Sequence, residues 1–287
     1  MKKTLPFVLT GLLLVTISSA FDFGNNPDNQ RFKKMTVMYR DFQGANKNQY
    51  KIEEMTKNDN GLILSHNFYN EAGVVQPGSY SLVYDNNSNI KEKKLVEFDK
   101  TKNREMTIRI SYINKFKDNK LVKTIITDNE NPGKNDTIDY TRDASGEISL
   151  KKTSASGNGT STWYNGSGQP EKEMVKIKGH VVVTRAYTYG SNGILAMSGV
   201  DKDGKEVEKI SYEYNDKGKL VKMTDTGKNF TATYNYNPKG QLIVEERNGK
   251  GIKSSLVYEY DDKGLISKIS HKNEKSIRLS EWTYSYE

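Results

Sequence analysis

The chain contains no cysteine. That excludes a disulfide framework, a thiolate metal site, a cysteine nucleophile and a lipid-modified N-terminal cysteine. Histidine is almost as scarce: His66, His180 and His271 form the complete set, and their polar neighbours argue against an imidazole-rich metal centre. All three read as surface or turn residues, His271 as a turn residue. Apolar residues occupy only 34% of the 287 positions, and no stretch after residue 20 approaches the hydrophobicity of the N-terminus. The sequence has no Gly-X-Ser-X-Gly nucleophile elbow. Its Gly-rich segment Ser154–Thr160 lacks the lysine and the following helix of a phosphate cradle, and reads as a flexible loop. Asp201–Glu206 resembles the opening of a calcium loop, but Tyr212 stands where the closing glutamate is required, so Asp203-Gly204 reads as a hairpin turn. No cofactor or metal is implied.

The N-terminus is an export signal by pattern. Lys2 and Lys3 precede the largely apolar run Leu5–Ile17, and Ser18-Ser19-Ala20 supplies the small residues that a signal peptidase reads. The run is shorter than the ~20 residues that cross a bilayer. Cleavage before Phe21 is expected, which lowers the net charge from +8 to +6 and leaves no membrane span. A short Met-Lys-Lys start and the lack of cysteine fit a bacterial protein of the periplasm, cell surface or medium.

What the sequence has in quantity is tyrosine, 18 against 9 phenylalanines, and the tyrosines repeat. Tyr187-Thr-Tyr189-Gly-Ser-Asn-Gly193, Tyr212-Glu-Tyr214-Asn-Asp-Lys-Gly218, Tyr234-Asn-Tyr236-Asn-Pro-Lys-Gly240 and Tyr258-Glu-Tyr260-Asp-Asp-Lys-Gly264 share one frame. Their glycines are 25, 22 and 24 residues apart. Tyr284 and Tyr286 begin a further copy that the chain does not finish. Weaker copies precede these: Tyr164 before Gly168, Tyr140 before Gly146, Tyr69 before Gly73, Tyr84 with Ser88 in the glycine position, and Phe116 before a shortened loop at Asn119.

Each copy encodes a hairpin. Asn237-Pro238-Lys239-Gly240 places a side-chain acceptor, a fixed φ and a residue tolerant of positive φ in the order of a type I turn closed by a left-handed glycine. Two tyrosines one residue apart on a strand share a face. A second turn falls between copies, at Asp203-Gly204, Thr226-Gly227 and Asn248-Gly249. The expected fold is therefore all-β, an extended antiparallel β-meander of hairpin repeats of 22–25 residues. Residues 1–20 form the signal peptide, 21–50 an N-terminal segment, and 51–287 the array, degenerate over 51–168 and clear over 187–287. The outgoing strand Leu220-Val221-Lys222-Met223 does not alternate cleanly, so its buried face is left open. A β-sandwich with similar hairpins is an alternative. A membrane barrel fits less well because its lipid face must be apolar, whereas these strands are rich in lysine and glutamate.

The frame Tyr-X-Tyr-(Asn/Asp)-X-X-Gly-X-(Leu/Ile) resembles the YD repeat of Rhs-type and teneurin-type proteins, well over Tyr187–Glu287 and partially over Lys51–Gly168. The resemblance implies a hairpin array with an extracytoplasmic or cell-surface role, often in contact with carbohydrates or other cells. The large Rhs proteins enclose a toxin segment, for which this chain carries no core-terminating motif. MORN-like repeats have a similar period, but their Gly-X-Trp or Gly-X-Tyr strand is missing.

The functional expectation is a non-enzymatic scaffold or binding surface for carbohydrate or another envelope component. A secreted polysaccharide hydrolase and an accessory partner of an Rhs-type toxin system are the alternatives. Turn glycines are Gly193, Gly218, Gly240 and Gly264; candidate binding aromatics are Tyr187, Tyr189, Tyr212, Tyr214, Tyr234, Tyr236, Tyr258, Tyr260, Trp163 and Trp282. Glu213 and Glu259, flanked by same-face tyrosines, should point to the opposite face and be solvated. The segment Lys91–Lys123, with 11 basic and 5 acidic residues, is a candidate contact for an anionic surface if its charges share a face. Nucleic acid is not the expected partner.

Overall fold

A computed structural model describes residues 32–43, 48–99, 104–129, 135–155, 157–249 and 251–287. The expected signal peptide lies outside the described residues. The strands are β1 (Lys34–Asp41), β2 (Tyr50–Lys57), β3 (Ile63–Phe68), β4 (Tyr80–Tyr84), β5 (Ile90–Asp99), β6 (Arg104–Lys117) and β7 (Lys120–Asp128). They continue with β8 (Asn135–Arg142), β9 (Ile148–Ala155), β10 (Asn158–Tyr164), β11 (Pro170–Ile177), β12 (His180–Gly190), β13 (Gly193–Val200) and β14 (Glu206–Tyr214). The last are β15 (Leu220–Asp225), β16 (Phe230–Tyr236), β17 (Leu242–Gly249), β18 (Ile252–Tyr260), β19 (Ile266–Asn273) and β20 (Arg278–Tyr286). Ser154 and Gly159, expected in a loop, lie in β9 and β10 and pair with each other.

Every strand pairs antiparallel with the next in sequence. The all-β antiparallel expectation therefore holds, but the extended array does not. β20 returns to pair with β1, Val37 opposite Tyr284 and Tyr39 opposite Trp282, and the twenty-stranded sheet closes into a barrel. An open array would present two rows of unpaired N–H and C=O groups at its edges, and closure pairs them with each other. The repeat begun by Tyr284 and Tyr286 thus receives its partner strand from the N-terminal segment. Backbone bonds lock the seam: the N–H groups of Lys33 and Lys34 donate to the Glu287 carbonyl at 2.8 and 3.2 Å.

The irregular outgoing strand has a simple cause. Glu213 faces Lys222 while Tyr214 faces Leu220, so Val221 is the extra residue of a β-bulge. The bulge places Leu220 and Met223 on one face despite their odd spacing. Bulges recur at the same repeat position opposite Tyr84, Arg142, Tyr164, Tyr189, Tyr236 and Tyr260. The turns beside them use positive φ, at Gly218 (71°), Gly240 (78°) and Gly264 (83°), and Ser88 adopts 62° in the glycine position of its copy.

Nearly all buried strand residues lie on the face that carries the tyrosines. Val37, Ala232, Tyr234, Leu256 and Ile269 are between 1% and 3% exposed, and their register aligns them with Tyr212, Tyr258 and Tyr284. A cluster of buried side chains joins Leu220, Ala232, Tyr234, Leu242, Leu256, Tyr258 and Ile269 across β15–β19. In a closed sheet the more buried face is the enclosed one, so the tyrosines line the inner wall. Lysine, glutamate, threonine and serine dominate the outer wall.

Candidate functional site

The repeat-defining tyrosines form a structural seam along one rim. The second tyrosine of a copy reaches back to the carbonyl just beyond the preceding turn. Tyr189 donates to Pro170 O at 2.7 Å, Tyr214 to Ile194 O at 2.9 Å and Tyr236 to Leu220 O at 2.8 Å. Tyr260 donates to Leu242 O at 2.7 Å and Tyr286 to Ile266 O at 2.8 Å. The backbone ladder between β15 and β16 ends at Lys222–Thr233, and the Tyr236 hydroxyl continues the attachment beyond it. In the degenerate half three copies keep the bond with differing donors: Tyr84 to Ile63 O at 2.8 Å, Asn114 to Ile90 O at 3.0 Å and Arg142 to Leu121 O at 3.1 Å.

The first tyrosines, Tyr187, Tyr212, Tyr234 and Tyr258, lie deeper on the same wall. Burial raises the Tyr187 and Tyr212 phenols to about 12, and those of Tyr236 and Tyr260 at the rim to about 12 as well. The phenols of Tyr234 and Tyr258 are raised by burial and then by the neighbouring Glu245 carboxylate. Trp282 shares this face, with its ring 5.5 Å from that of Tyr39. Trp163 does not: it lies opposite Leu150 and Lys172 on the outer wall, with the Lys172 ammonium 5.3 Å from its ring. The candidate aromatics are thus divided between two surfaces.

Ion pairs punctuate the inner wall. Arg185 is held between Glu173 and Glu208, donating to Glu208 Oε2 through Nε at 2.6 Å. Glu245 is only 4% exposed; it accepts from Arg247 Nε at 2.6 Å and from the Tyr258 hydroxyl at 3.1 Å. His66 is buried rather than superficial, 2.6 Å from Glu53 and packed against Phe68 and Tyr80. His271 occupies the body of β19, not a turn, and desolvation followed by the charge of Arg247 lowers its pKa. These residues alternate with apolar ones at the strand period, but the sequence offers no local mark that their face is enclosed. Glu213 and Glu259 point outward and are exposed, as expected, and pair with Lys222 at 2.8 Å and Lys268 at 2.7 Å. Asp201 caps the Asp203-Gly204 turn through its carboxylate, accepting from the amides of Asp203 and Lys205. No cluster of metal-ligating side chains occurs among the described residues.

The Lys91–Lys123 charges are divided between faces. Lys93 turns inward, 4.7 Å over the Tyr80 ring. Lys94, Arg109, Lys115 and Lys123 follow the outward register.

No protein-family model matches the chain, and no curated protein matches it. Among solved structures it is similar to TcdB2-TccC3 without the hypervariable C-terminal region, at 14% identity over 85% of this chain with a TM-score of 0.43. The chain spans only 14% of that protein. It is also similar to a porin-like protein from Bacteroides uniformis, at 12% identity over 89% of this chain and 98% of the other, with a TM-score of 0.37. At these scores the likeness is one of β-rich architecture alone.

Proposed function

We propose that the chain is an exported bacterial YD-like repeat protein whose closed wall is a non-enzymatic scaffold that binds carbohydrate or another cell-envelope component. The observation that carries this reading is the seam of side-chain bonds to backbone carbonyls. It recurs in the clear copies and in three of the degenerate ones, so much of the array has kept the parts that hold a wall together. The seam ties eight strands to the turn of the preceding hairpin, which suits a rigid surface for display. The lysine- and glutamate-rich outer wall supports an aqueous compartment over a lipid one.

A glycan array probed with the protein lacking residues 1–20 tests the reading, with binding to at least one envelope-type glycan as the expected result. A Tyr212→Ala variant then places the ligand: loss puts it on the inner wall, retention on the outer. Release of sugar from envelope polysaccharide, abolished by a single Glu or Asp substitution, would overturn the scaffold in favour of a hydrolase.

A further inference from the structure

The outer wall of β6–β11 carries an arrangement that no turn or core requires. Lys115 stands directly opposite Lys123, Lys123 opposite Asp139, Asp139 opposite Lys152, and Lys152 opposite Ser161. Like charges directly opposed across strands are destabilising. Lys123 is relieved by Asp139 at 3.0 Å, whereas Lys115 and Lys152 are exposed and form no ion pair among the described residues. In the adjoining row the Trp163 ring holds the Lys172 ammonium in place. Two other outer-wall lysines are neutralised by cross-strand glutamates, at Lys222–Glu213 and Lys268–Glu259.

We infer that this row is a docking surface for an acidic polysaccharide, a linear glycan with carboxylates along its length, lying across the strands. The inference rests on the scaffold reading and names its ligand class. The argument is one of charge and shape. From β6 to β11 the row spans about 24 Å at the usual strand spacing. It runs around a convex wall, so a flat membrane touches only a few strands at a time, while a flexible chain follows the curvature. The hydroxyl of Ser161 ends the row, those of Thr137 and Ser154 face each other in the neighbouring row, and all three suit sugar hydroxyls.

The test uses the protein lacking residues 1–20 with polygalacturonate, neutral dextran, phosphatidylglycerol vesicles and single-stranded DNA as probes. Polygalacturonate should bind and weaken as salt rises. Combined Lys115→Gln, Lys152→Gln and Lys172→Gln substitutions should reduce affinity at least about tenfold. The control pair Lys222→Gln and Lys268→Gln should leave it nearly unchanged. All these side chains lie on the solvent side, and a thermal melt checks that the fold survives. Equal losses in both variants, no loss in the triple variant, or tighter binding to vesicles or DNA would overturn the inference. Binding of dextran but not of polygalacturonate would also overturn it, while leaving the scaffold reading standing.

Discussion

The tyrosine hydroxyl at the rim is the smallest unit on which the wall depends. In Tyr236→Phe the ring still packs, but the Leu220 carbonyl loses its donor. A neutral hydrogen bond of this kind contributes about 1 kcal/mol, so urea unfolding should show a loss of that order. Glu259→Gln, on the outer face, should stay within about 0.5 kcal/mol. The phenols also predict an alkaline limit. A phenol whose pKa is raised from 10.0 to about 12 by burial keeps its proton longer in the folded chain than in the unfolded one. Its contribution is complete below pH 10 and falls as pH climbs through about 12. Tyrosinate absorbance should therefore rise together with unfolding, later than in free tyrosine; titration at the free value in a still-folded protein would contradict the burial. That Tyr212 and Tyr214 share a face follows from strand geometry alone. The acceptor of the second hydroxyl does not, because it belongs to the preceding copy and carries no side-chain signature.

Hairpins are the scale at which sequence and structure agree best. Gly218, Gly240 and Gly264 all occupy turns with positive φ. Because a Cβ at Gly240 would meet only Lys219 Cε at 3.6 Å, Gly240→Ala should cost about 1 kcal/mol through backbone conformation and not through crowding. Ser88, at a φ of 62°, gives the reverse case, and Ser88→Gly should raise the unfolding midpoint by the equivalent of up to about 1 kcal/mol. Thermal melts of the two variants should move in opposite directions. The bulges were hidden because Leu220-Val221-Lys222-Met223 departs from strict alternation without showing which residue is extra. Once Val221 is assigned to the bulge the pattern is regular. The same parity separates Trp163 from the tyrosines and splits the Lys91–Lys123 charges. A run of like charge along a strand reports composition, whereas register decides which surface it charges.

For the whole molecule the decisive feature is that β1 meets β20. β1 has no Tyr-X-Tyr frame and no turn glycine, only alternation at Met35, Val37 and Tyr39, so nothing local distinguishes it as the closing strand. Deleting residues through Asp41 should expose the edges of β2 and β20. Self-association by size-exclusion chromatography is the expected result, and a compact monomer would show that closure is dispensable.

Dipolar broadening of a continuous-wave electron-resonance spectrum tests closure itself. The absence of native cysteine lets Thr36→Cys and Ser285→Cys carry spin labels without interference, and in the closed sheet these two positions face each other directly. The predicted result is the broadened spectrum of cross-strand neighbours, whose Cβ atoms lie about 5 Å apart, in a monomer. An unbroadened spectrum, as at a separation approaching ~90 Å, the width of an unrolled sheet of this many strands, would contradict it.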